Sequence, residues 1–210
     1  MANSCTAVKV QDSVYHFDAG LAKYKPDAAP TPAWTKVTFS GDFVWGAGNA
    51  GIYKYNTADP ANLKYELALA STFNDNKKIW TTSEGIVVLS WVASGTANIN
   101  NYTLRFFNIP ATGSITVIST LTGQYHTAAA ANPPSVSISP NLKTVVVYDK
   151  TPADATKFFA KGASISYTAK TLTEFTIPTW ITATQSLVSV SDKYLFARNI
   201  VENTATPAVK

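Results

Sequence analysis

Charge is what this chain has least of: 14% of its 210 residues are Asp, Glu, Lys or Arg, against about 25% in an average soluble protein. The 17 basic and 13 acidic side chains leave a net charge of +4. Only Arg105 and Arg198 are arginines, and Lys77-Lys78 is the sole adjacent basic pair. Such scattering gives no stripe able to neutralise several phosphates together, which argues against nucleic acid as a partner. Lysines spread along strands have another use, because charge at a sheet edge discourages edge-to-edge pairing. Cys5 is the single cysteine, which excludes an internal disulfide, a CxxC redox motif and a cysteine zinc cluster. His16 and His126 are the only imidazoles and form no His-Glu-x-x-His pair, so no zinc site is written. No apolar run approaches the roughly 18 residues a membrane-spanning helix needs. The opening residues, Met1 to Thr6, lack a basic segment followed by an apolar core and do not read as a secretory leader. The compartment stays open.

What is present favours strands. There are 27 Thr, 17 Val, 12 Ile and 25 aromatic residues, the types that fit a pleated, half-buried surface. A chain of this size buries roughly 70% of the surface its unfolded form exposes, so one all-β domain over 1–210 is expected. Apolar runs bounded by Gly, Pro, Asn, Asp or Ser predict about sixteen strands. They fall at 8–10, 13–18, 34–39, 42–47, 51–56, 64–71, 77–82, 85–93, 101–109, 114–121, 135–139, 143–149, 163–169, 172–177, 186–190 and 193–200. Two stretches read as irregular loops: Ala22 to Ala33 with three prolines, and Gly123 to Pro134 with four consecutive alanines.

A polar turn that feeds an aromatic or β-branched strand recurs. It appears as Ser40-Gly41-Asp42-Phe43, Asn74-Asp75-Asn76-Lys77, Ser139-Pro140-Asn141-Leu142-Lys143 and Ser191-Asp192-Lys193-Tyr194. The spacing is irregular but the order of elements is kept, as in an array of blades. In this the chain resembles the WD40-like β-propellers, whose blades carry a turn like Ser139 to Lys143 before the second strand. Trp34-Thr35-Lys36-Val37, Val44-Trp45-Gly46 and Gly51-Ile52-Tyr53 also resemble one repeat of a tectonin-type lectin propeller; later units lack the Trp-Gly pair. The expected fold is a small propeller-like array of about four antiparallel blades, with a β-sandwich or jelly roll as alternative. Val8 to Phe17 would complete the last blade, which begins at Ser186, and so close a ring.

Linear catalytic signatures are scarce. His16 and Asp18 share a strand face, whereas Ser13 lies on the opposite one, and no Gly-x-Ser-x-Gly elbow exposes a nucleophile. His126 reads as a loop residue with no acidic neighbour in sequence. Asp149, Asp154 and Asp192 fall near strand ends, where carboxylates cap turns. Gly46-Ala47-Gly48-Asn49-Ala50-Gly51 has the letters of a phosphate-binding loop but opens no helix, so it reads as a hairpin turn. Asn101-Tyr102-Thr103 has the letters of a glycosylation acceptor, a three-residue pattern that arises readily by chance.

Aromatics are the positive signal, most of them core. Alternation separates Tyr53 and Tyr55 from Ile52 and Lys54, with similar splits around Tyr102, Leu104 and Phe106. The reading that follows is a non-enzymatic interaction module, lectin-like or a protein-binding scaffold, with no metal or cofactor. Its partner would be a glycan or a protein surface, met by Trp45, Asn49 and Tyr53. The alternative is a self-associating structural subunit of a large assembly such as a capsid, decoration layer or filament, for which low charge and abundant Thr suit large neutral contacts.

Overall fold

The computed structural model describes residues 7–10, 13–18, 23–26, 36–40, 43–47, 51–56, 59–68, 77–110, 115–177, 186–192, 194–201 and 204–208. Eighteen strands occur among them, grouped in five antiparallel sheets that follow the chain in order. The first sheet holds β1 (Ala7–Val10), β2 (Ser13–Asp18) and β3 (Lys23–Pro26). The second holds β4 (Lys36–Ser40), β5 (Phe43–Ala47), β6 (Gly51–Asn56) and β7 (Asp59–Ala68). The third holds β8 (Lys77–Thr81), β9 (Gly85–Ala93), β10 (Ile99–Asn108) and β11 (Thr116–His126). The fourth holds β12 (Ser135–Ile138), β13 (Thr144–Thr151), β14 (Asp154–Ser166) and β15 (Thr171–Phe175). The fifth holds β16 (Ser186–Val190), β17 (Leu195–Val201) and β18 (Thr204–Ala208). In every sheet each strand pairs with the next in sequence, which is the meander of a propeller blade.

Burial separates stacked blades from a sandwich. A sandwich strand has one face in the core and one in solvent, whereas a strand between neighbouring blades is covered on both. In β9, Ile86 and Val88 join a core with Trp45, Ala47 and Ile52 of the second sheet, while Val87, Leu89 and Trp91 join one with Val145, Val147 and Ile165 of the fourth. The run Ile86-Val87-Val88-Leu89 is apolar without alternation because neither face meets water. In β10, Phe106 and Phe107 point into these two different cores. The fourth sheet repeats the arrangement, with Val145 and Val147 on one side and Val146 packed with Val190 of the fifth sheet on the other. Each sheet thus packs on the next, β2 against β4, β4 against β8, β11 against β13 and β15, and β12 and β13 against β16. The expected propeller-like array of antiparallel blades is what forms.

The expected closure is corrected. β1 and β2 do not complete the last blade: they pair with β3 in a sheet of their own, and β16 and β17 pair with β18. The reason is local. Lys23–Pro26, expected inside an irregular loop, supplies a third strand for the opening hairpin.

The first hairpin turns of three successive sheets are clasped together. Thr82 and Ser191 each accept, through Oγ, the amide N–H of the residue three positions on, while the backbone N–H donates to that residue's carbonyl. Ser139 does the same with Thr144, and Asn141 Oδ1 accepts the Ser139 hydroxyl and the Lys143 amide. Lys143 pairs with Glu84 of the third sheet at 2.8 Å, and Asp192 of the fifth accepts the Asn141 amide at 3.1 Å.

Candidate functional site

The opposite end of the third sheet carries the β9–β10 turn and the β11–β12 loop. The turn is tight: Ser94 N–H donates to Ile99 O, and Gly95 and Asn98 adopt positive φ, +88° and +59°, values that glycine and asparagine tolerate best. The loop, Thr127 to Pro134, has almost no polar side chains with which to hold itself, and exposed backbone groups alone would leave it loose. Thr127 Oγ1 bonds Ala129 within the loop, and side chains and backbone of the neighbouring strands supply the rest. Asn98 O accepts the Thr127 amide at 2.8 Å, the Asn100 amide donates to Ala130 O at 2.9 Å, and the Trp91 indole N–H donates to Ala131 O at 3.2 Å. The Tyr125 hydroxyl donates to Asn132 O, and Asp149 Oδ2 accepts the Ser135 amide at 3.1 Å where the loop rejoins β12.

Between turn and loop lies a cleft of about 300 Å³, lined by Ala93, Ala97, Asn98, Asn100, Thr127 and Ala130 with a few neighbours. Methyl groups, amides, hydroxyls and backbone make its walls; among the described residues no ionisable side chain lines it. At 2% exposure, Asn100 sits in phase with Tyr102, Leu104 and Phe106 on the core face of β10. Both hydrogens of its amide are engaged, by Tyr125 Oη at 3.1 Å and by Ala130 O. Because a carbonyl only accepts, the contact with Ala130 fixes which end of the amide is nitrogen. Among the described residues no hydrogen bond reaches the Asn100 side-chain oxygen, and Asn100 is one of the residues that line the cleft.

Ionisable groups stand behind the loop rather than in the cleft. Tyr125 is fully buried, and desolvation pushes its hydroxyl up to about 12, aided by the nearby Asp149 charge and opposed by the Asn100 hydrogen bond. Asp149 is itself raised by burial, against the pull of the Lys150 and Ser135 amides and of the Lys150 and His126 charges. His126, expected in a loop with no acid near it, instead ends β11, opposite Ile99, and lies within electrostatic reach of Asp149. Asp149, Asp154 and Asp192 all accept backbone amides, as expected of carboxylates at strand ends.

Of the residues singled out from sequence, Trp45 lies away from this cleft. Trp45 is in β5 and 1% exposed, part of the core between the second and third sheets. Lys54 Nζ lies 5.1 Å from the centroid of the Trp45 ring, a cation–π distance, and the buried indole nitrogen of Trp45 has no hydrogen-bond partner among the described residues. Register sets Trp45 opposite Lys54 and Tyr53 opposite Gly46, so Trp45 and Tyr53 occupy positions on opposite faces of the second sheet. Asn49 and the side chain of Tyr53 lie outside the described residues. Tyr102, Leu104 and Phe106 are core. Asn101, in the sequence with glycosylation letters, is within β10 and accepts a hydrogen bond from Gln124 at 2.9 Å.

No protein-family model and no curated protein matches the chain. Among solved structures it is similar to regucalcin, a calcium-binding protein from Agrobacterium tumefaciens, at 9% identity over 94% of this chain and 63% of that one, with a TM-score of 0.37. It is also similar to a Bacteroides uniformis protein proposed to be a 6-phosphogluconolactonase, at 12% identity over 93% of this chain and 76% of that one, with a TM-score of 0.31. The chain therefore spans less than two thirds of the regucalcin chain. The expectation of a non-enzymatic module, lectin-like or scaffold, is corrected: one of these two solved structures is described as a lactonase. That expectation ran from missing linear motifs to missing catalysis, and catalytic side chains need not be neighbours in sequence. Among the described residues no helix is long and apolar enough to cross a membrane, which says nothing of crossing by strands.

Proposed function

We propose that the chain is a small-molecule-binding propeller-like protein whose site is the cleft between the β9–β10 turn and the β11–β12 loop. The observation that carries this reading is the anchoring of the loop. Five hydrogen bonds, from the turn, β9, β10, β11 and β13, fix a nearly featureless segment beside an open concavity. A wall held this way loses little entropy when a ligand arrives, which is how preorganised sites gain affinity. The cleft is at the small end of the range for ligand pockets, roughly 300 to 1,000 Å³. Binding is the step this geometry supports, whether the ligand is then held or turned over. The WD40-like blade grammar belongs to the same reading, supported by the place of the Ser139–Lys143 turn between the first and second strands of the fourth sheet.

Soaking crystals of the protein with a library of small fragments tests it. Hits should settle between residues 93–100 and 127–131. Hits that cluster elsewhere, or none in this cleft, overturn the assignment.

A further inference from the structure

Resting on the cleft as the binding site, we infer that its ligand is an uncharged molecule with a compact apolar body and an N–H or O–H group that donates to the side-chain oxygen of Asn100. Three observations converge. The lining residues carry no charge, so a carboxylate, phosphate or ammonium entering the cleft would shed water without gaining a counter-ion, which is costly. The walls offer the methyl groups of Ala93, Ala97, Ala128 and Ala130, which suit an apolar body. Within that lining a side chain 98% buried, Asn100, keeps one strong acceptor uncommitted among the described residues, since both of its donors are spent on Tyr125 and Ala130.

The polarity of that amide is not free to reverse. Turning it over would set its oxygen against Ala130 O, two acceptors face to face, and would leave the Tyr125 hydroxyl, already donating to Asn132 O, without a donor. With the loop anchored, the amide of this lining residue therefore keeps its oxygen as the end left for a ligand. A ligand carrying only acceptors would leave the Asn100 oxygen covered and unpaired, and a site built round one polar group rejects the analogue that lacks its complement more strongly than it rewards the match.

Three probes of equal heavy-atom count separate the features: benzamide, with N–H donors; acetophenone, with a methyl group in their place; and benzoate, charged. Each is titrated into the isotope-labelled chain and followed by amide chemical shifts. Benzamide should shift the signals of residues 93–100 and 127–131 and bind about fivefold more tightly than acetophenone, with benzoate the weakest. Ala97→Trp, an exposed turn position that fills the cleft from above, should abolish the response while leaving the spectrum of the rest of the chain unchanged. Equal affinity for benzamide and acetophenone, or tighter binding of benzoate, overturns the donor assignment and leaves the cleft as a site. Shifts from all three that fall elsewhere, or that survive Ala97→Trp, overturn the site itself, as does the absence of any shift.

Discussion

Tyr125 joins the core to the cleft. Its ring is fully buried between the third and fourth sheets, and its hydroxyl both accepts from Asn100 and donates to Asn132. Tyr125→Phe removes one oxygen and leaves a buried amide hydrogen of Asn100 and a loop carbonyl unpaired, so it should cost about 1–3 kcal/mol of unfolding free energy in urea. The same substitution has a pH signature. Burial raises the hydroxyl of Tyr125, and likewise that of Tyr102, to about 12 from an ordinary 10. At pH 11 the folded chain keeps these protons while the unfolded chain has lost them, so stability is full below pH 10 and is lost as pH rises toward 12. Lysines also titrate here, so the useful quantity is the difference: the stability of Tyr125→Phe should fall less steeply than that of the parent between those values, and parallel slopes would refute the burial account. Asn100 itself was within reach of sequence reading. Period-two alternation sets it in phase with Tyr102, Leu104 and Phe106, which places an amide at a core position, and a buried amide requires partners. Its partners were out of reach, because they stand 25 and 30 residues away in a stretch that reads as featureless alanine.

At the scale of the element, the turns show what local chemistry fixes. Ser139 is completely buried and both donates to Asn141 Oδ1 and accepts from the Thr144 amide, so Ser139→Ala should cost about 1–3 kcal/mol in equilibrium unfolding. Lys143 and Glu84, 42% and 51% exposed, form the neighbouring ion pair, and Lys143→Ala should cost less than about 1 kcal/mol. The reverse ranking would mean that the clasp between sheets, rather than the turn, holds this end. Strand existence was legible wherever alternation or an unbroken β-branched run was strong, as in β5, β9, β10 and β13. Length was less so. β14 begins at Asp154, nine residues before the stretch expected from 163, because Phe158, Phe159 and Ala160 pair with β13 across a segment interrupted by Lys157 and Lys161. β11 continues to His126 through Gly123, where the ring of Tyr102 lies so close that a Cβ would stand 2.6 Å from its hydroxyl oxygen. That glycine reads as a loop signal and is instead the seat of a neighbouring ring. In the third sheet the clasp uses Thr82 to Gly85, and the expected turn at Asn74 to Asn76, which precedes β8, lies outside the described residues.

Among the described residues, buried cores lie in series between the second and third sheets, the third and fourth, and the fourth and fifth. A chain organised this way need not be equally stable along its length, because each sheet depends chiefly on its neighbours. The third and fourth sheets meet tightly at Gly85, where an added Cβ would lie 2.0 Å from the ring of Tyr167. That ring cannot swing aside, since it is 6% exposed and its hydroxyl donates to Leu142 O at 3.1 Å. Gly85→Ala should therefore cost about 1–3 kcal/mol through overpacking. Leu104→Ala, which empties space in the core between the third and fourth sheets, should cost about 2–5 kcal/mol. Hydrogen exchange gives the reading of both at once. Amides of β9, β10 and β13 should be the slowest in the parent chain, those of β16 faster, and Gly85→Ala should accelerate the third and fourth sheets together because the strained contact is shared. Acceleration confined to β9, or a parent chain protected uniformly in these four strands, would show that the sheets do not depend on one another through these cores, and the serial account of the fold would fail.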